Sequence, residues 1–174
     1  MGRIQEMAAM LADGRVGFCV QEKMKGTHRF LRDFPPGKVG AGTELPFVFE
    51  ASWGHPRLNQ YLRPGGTDFL RASMEGTVTA GGLCLDAPLR GALELRYFSD
   101  ATVRYEFEFE AHSRLMRYVG QKREIRPWNL HRSHTTCYGS VTEQQSDAAG
   151  PLSDSVVYFD LGLLPRFLTS FRLT

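Results

Sequence analysis

Residues 102–110 alternate without a fault. Val103, Tyr105, Phe107 and Phe109 fall on one face, and Arg104, Glu106, Glu108 and Glu110 fall on the other. A period of two is the signature of a β-strand with one face buried and one in water. The run before it puts Leu93, Leu95 and Tyr97 on one side against Glu94 and Arg96. Two such strands around the short polar stretch Ser99-Asp100-Ala101 predict an antiparallel hairpin. Its aromatic face must be covered, which predicts a curved antiparallel sheet or barrel.

The rest of the chain fits that plan. Strands are expected at 16–20, within 22–34, and at 45–53, 74–80, 115–125, 131–143 and 155–161. Phe47 and Phe49 should join the core face of Tyr105, Phe107 and Phe109. Turns are marked by Phe34-Pro35-Pro36-Gly37, Gly54-His55-Pro56, Arg63-Pro64-Gly65-Gly66 and Gly81-Gly82. Arg57 to Leu62 reads as a short helical turn. Ile4, Met7, Ala8 and Leu11 follow helical spacing before Asp13-Gly14, so residues 1–14 read as an N-terminal helical segment. Leu164, Phe167, Leu168 and Phe171 recur at i, i+3, i+4 and i+7, with Pro165 in the first turn, so a C-terminal helix is expected over 163–172. The expected architecture is all-β: one lipocalin/calycin-like antiparallel barrel over residues 1–174, with short helices near both ends. Closing the sheet removes its exposed edges, and a small closed barrel can hold one small ligand.

Composition narrows the function classes. A net charge of +2 is too small to argue for nucleic acid. No apolar run approaches a membrane span, and the N-terminus lacks the apolar core of a signal peptide. The three cysteines, Cys19, Cys84 and Cys137, form neither a disulfide framework nor a zinc spacing. They read as reduced thiols, which points to the cytoplasm. His131 and His134 lie three apart, on opposite faces of a strand, so no metal site is expected. No phosphate-binding loop or nucleophile elbow is present, and no cofactor is expected.

Two segments break the alternation. Around 115–125, Met116, Tyr118, Gly120, Lys122 and Glu124 share one parity, and Leu115, Arg117, Val119, Gln121, Arg123 and Ile125 share the other. Neither set is purely apolar. In 131–143, Arg132, His134, Thr136, Tyr138 and Ser140 form a polar row. Polar groups facing into a barrel need partners, and a ligand with an oxygen function supplies them. The alternative is a pair of strands with wet faces near the barrel mouth. On the first reading the cavity is lined by Trp128, Thr136, Tyr138, Tyr118, Tyr105 and Phe107. Lys122 would polarise a carbonyl or hold a carboxylate, and His134 would exchange a proton near neutral pH. Lys122 and His134 are thus the candidate catalytic groups.

The order of short motifs adds a resemblance. Glu22-Lys23-Met24-Lys25-Gly26, Gly76-Thr77-Val78, Gly91, Tyr105 with Phe107, Gly120 with Lys122, Trp128 with Thr135-Thr136, and Phe167-Leu168-Thr169 with Phe171 occur in one sequence. This series resembles the small all-β domain found beside bacterial glucose–methanol–choline (cholesterol-oxidase-like) flavin oxidoreductases. The resemblance implies a lipocalin-like barrel, an apolar steroid-, polyketide- or lipid-like ligand from secondary metabolism, and a possible oxidoreductase partner. It carries no catalytic residues over. His134 stands where that pattern has an Asp before its Thr pair. Three functions are therefore in view: a binding barrel, a barrel that isomerises or cyclises its ligand without metal or flavin, and an interaction module for an oxidoreductase.

Overall fold

The computed structural model describes residues 9, 13, 14, 16–123, 135–145, 150–159, 172 and 173. Nine strands run along the described residues: β1 Phe18–Phe30, β2 Glu44–His55, β3 Arg71–Ala80, β4 Cys84–Arg96, β5 Thr102–Ala111, β6 Arg114–Lys122, β7 Thr136–Glu143, β8 Ser153–Phe159 and β9 Arg172–Leu173. Sequential neighbours from β2 to β8 pair antiparallel, β8 pairs with β1, and β1 pairs back onto β2. The sheet is thus a closed eight-stranded antiparallel barrel, the fold class expected, with β9 added on the β8 side of β1.

β1 makes the closure. One of its edges pairs with β2 from Phe18↔His55 to Arg29↔Glu44. Its other edge pairs with β8 over Met24–Phe30 and with β9 at Phe18 and Cys19. The two separate strands expected at 16–20 and within 22–34 are one strand, because continuous pairing with β2 carries the chain through Gln21 and Glu22.

The alternation of β5 holds: Val103, Tyr105, Phe107 and Phe109 are buried, while Glu108 and Glu110 are exposed. Phe47 and Phe49 join them. Phe107 lies 4.7 Å from Tyr118 and 5.3 Å from Phe49, ring centre to ring centre, and Phe47 stacks on Tyr118 at 5.1 Å. These rings fill the middle of the barrel. Gly120 and Gly139 face each other across β6 and β7, and a Cβ at either would collide with the Tyr118 ring. The two glycines thus make the floor on which Tyr118 lies.

Tyr97 lies beyond the ladder, which β4 leaves at Arg96: it sits in the following turn, 38% exposed, with its phenol close enough to Glu22 to feel that charge. The 115–125 strand ends at Lys122. The expected helical turn near Arg57 is present as Leu58–Tyr61. The hairpin between β5 and β6 is a two-residue turn with His112 and Ser113 both at positive φ, 50° and 58°, which matches the twist of the strands it joins. Near the N-terminus, the Asp13 N–H donates to the Ala9 carbonyl at 2.9 Å and Gly14 takes φ 66°, the geometry of a helix end. The remainder of the 1–14 segment lies outside the described residues. Arg172, expected as the last residue of a C-terminal helix, pairs with Cys19 in β9, because the free edge at the start of β1 accepts a strand there. Residues 163–171 lie outside the described residues.

His28 occupies the end of the barrel away from Lys122. Its Nε2 lies 3.0 Å from the Gly81 carbonyl and its Nδ1 3.0 Å from Ser153 Oγ. A carbonyl only accepts, so Nε2 carries the proton and Nδ1 accepts from the serine hydroxyl. Burial lowers the pKa of His28 below 6.5, against the opposing pull of the Gly81 carbonyl. The folded state then binds fewer protons at this site than the unfolded chain. Stability from this site is fully present above the unfolded value, is lost as pH falls through it, and levels off below the folded value. Urea melts at a series of pH values should show this loss in the wild type and a smaller one in His28→Gln. Equal acid sensitivity in both proteins would contradict the assignment.

Candidate functional site

The parity that carried Tyr105 into the core also carries its hydroxyl. β5 and β1 stand on opposite sides of the eight-stranded barrel, four places apart in the strand order. Tyr105 Oη donates across the interior to Glu22 on β1, 2.9 Å from Oε2 and 3.1 Å from Oε1. Lys122, at the end of β6, donates to Glu22 Oε1 at 2.7 Å. Its ammonium also lies over the rings of Tyr105, at 5.1 Å, and Phe159, at 5.9 Å. All three residues are buried, with Glu22 6%, Lys122 4% and Tyr105 1% exposed. A polar clamp therefore crosses the barrel above its aromatic middle.

Each partner answers a cost. A buried carboxylate needs a counter-charge and hydrogen bonds, and a buried ammonium needs the same. Glu22 receives both from Lys122 and Tyr105. Burial pushes the Tyr105 phenol well above its ordinary value, and the Glu22 charge adds to the rise. The phenol therefore stays protonated and donating.

A second polar group lies against the clamp. Ser155 Oγ donates to Tyr118 Oη at 3.3 Å, and Tyr118 Oη lies 3.8 Å from Cys137 Sγ. Burial pushes the Cys137 thiol up to about 11, with the Lys122 cation pulling the other way. Cys137 is accordingly a packing thiol and not a nucleophile at neutral pH. Tyr97 borders the same region: burial raises its phenol first, and the Glu22 charge raises it further.

Of the residues singled out in the sequence, Lys122, Tyr105, Tyr118 and Phe107 all point inward, but they divide by level. Lys122 and Tyr105 belong to the clamp. Phe107 and Tyr118 are 0% exposed and pack together in the aromatic middle. On β7 the inward row is Cys137, Gly139, Val141 and Glu143, not the polar row expected. Thr136 is half-buried, and Tyr138 is 51% exposed on the outer wall. Tyr138 there lines an outer groove with Val119, Gln121 and Asp154. The reason is register: Gly120↔Gly139 pairing puts Tyr118 over Gly139, which fixes the odd positions of β7 inside. Trp128 and His134 lie outside the described residues.

Glu22 was not singled out as a site residue. Its signal was available, since a carboxylate shares parity with Met24, His28 and Phe30 on an otherwise inward face. Among the described residues no cluster of three His, Cys, Asp or Glu side chains could hold a metal ion. No helix among them is long and apolar enough to cross a membrane.

The fold class is thus that of a closed, up-and-down antiparallel barrel with a charged clamp inside. No protein family, no curated protein and no solved structure matches the chain.

Proposed function

We propose that this protein binds a small, largely apolar molecule at the Lys122 end of its barrel, with an oxygen function of the ligand turned toward Lys122. One observation carries the reading: an ion pair and a phenol are held across the interior of a barrel whose middle is already filled by packed rings. A core needing only stability gains little from a buried ion pair, which hydrophobic side chains of similar size usually match or better. Retaining one inside a barrel suits recognition. With the middle filled by rings, the ligand of this reading lies beyond the clamp, toward the end where β1 begins and β6 stops.

A barrel that isomerises or cyclises its ligand is the second reading. The observation favouring it is that Lys122 and the protonated Tyr105 are held together on Glu22, at 2.7 and 2.9 Å, as fixed donors of the kind that polarise a carbonyl oxygen. An oxidoreductase partner and secondary metabolism rest on the sequence resemblance alone.

The test is native mass spectrometry of protein taken directly from the cells that make it. The wild type should carry a small molecule that the double variant Glu22→Gln/Lys122→Met lacks. The double variant is chosen because it leaves no lone charge inside. If both proteins are empty and neither takes up a neutral apolar dye, the binding reading is overturned. Conversion of the released molecule by wild-type protein would favour the catalytic reading.

A further inference from the structure

Resting on the ligand-binding reading, we infer that the molecule this site takes is uncharged and presents a hydrogen-bond acceptor, such as a ketone, aldehyde or ester oxygen, and not a carboxylate. Charge and hydrogen-bond accounting at the clamp carry this.

The charge is balanced before any ligand arrives. Lys122 contributes one positive charge, Glu22 one negative charge, and the protonated Tyr105 none. All three are buried. An anionic ligand would bring a second negative charge beside Glu22 in a low-dielectric interior, with no further cation in the clamp to meet it. A cationic ligand would meet Lys122 in the same way. Burying an unpaired charge is among the costliest changes a protein interior can undergo.

Among the described residues the hydrogen bonds are not balanced, and the surplus is all on one side. Both Glu22 oxygens already accept, Oε1 from Lys122 and Tyr105, Oε2 from Tyr105. Lys122 has three N–H donors, and its one hydrogen bond to a described residue is the one to Glu22. The indole N–H of Trp53 is a second surplus donor: it is buried and has no hydrogen-bond partner. Trp53 pairs with Val20, which sits two residues before Glu22 on the same face of β1. Surplus donors call for an acceptor. A neutral carbonyl oxygen supplies one without disturbing the charge.

The test uses three probes of one chain length: methyl laurate, laurate and laurylamine, at a pH where the acid and the amine are ionised. Each competes with Nile red for the wild-type protein, read by dye fluorescence. The ester should bind about tenfold or more tightly than either ion. Glu22→Gln removes the negative charge and leaves Lys122 unmatched, so laurate should become the preferred probe and should raise the melting temperature of that variant most. Wild type preferring laurate, or an unchanged order in a folded Glu22→Gln protein, overturns the inference. Should Glu22→Gln fail to fold, the wild-type order alone decides. Dye binding that no probe displaces in wild type also counts against it. No uptake of dye or probe at all is the separate failure, that of the binding reading itself.

Discussion

Lys122→Met should cost about 3–5 kcal/mol of stability, and adding Glu22→Gln to it should return most of that loss. The single change removes the one cation among the described residues that contacts a carboxylate 6% exposed. Glu22 must then stay buried and unpaired or take up a proton. Tyr105 still donates to it, which places the expected cost toward the lower end of the range. In the double variant no charge is left in the clamp, and a glutamine side chain can still accept from Tyr105. Urea denaturation of the wild type, both single variants and the double variant gives the coupling directly. Simple additivity of the two single losses would mean that the clamp does not act as a unit.

The same clamp marks the limit of what the sequence could disclose. Strand alternation is a local property, so β5 and its hairpin with β4 were legible from residue order alone. Which face of β6 turns inward was not, because Met116, Tyr118 and Lys122 on one side and Leu115, Val119 and Gln121 on the other look equally mixed. The answer depends on partners far along the chain: Glu22 lies 100 residues from Lys122 and 83 from Tyr105. On β7 the error had a similar origin. A row of Thr136, Tyr138 and Ser140 looks suited to a ligand, yet those residue types also suit the wet face of a strand. The small residues Gly120 and Gly139 decided the matter, by making space for one tyrosine ring. Lys122 shares its parity with Met116 and Tyr118, and the structure buries all three. The same comparison of parity on β1 would have found Glu22.

The middle of the barrel should prove the most sensitive part of the fold. Phe107→Ala is expected to cost about 3–5 kcal/mol, a fall in melting temperature of about 6–20 °C for a chain of this size. Phe107 is fully buried, and its ring lies against Tyr118, Phe49 and Phe109, at 4.7, 5.3 and 6.2 Å. Its cross-strand neighbour on β4 is Gly91, which has no side chain to move into the space left behind. The surrounding rings are fixed on strands paired on both sides, so the cavity cannot collapse far, which argues for the upper part of the range. Phe98→Ala makes the control: that ring is 84% exposed, and its loss should change stability little. Thermal melts of the two variants beside wild type settle the contrast. The comparison also separates core from site. If Phe107 instead contacted the ligand across an open cavity, the alanine variant would keep most of its stability and lose ligand, and the packing described for the aromatic middle would be wrong.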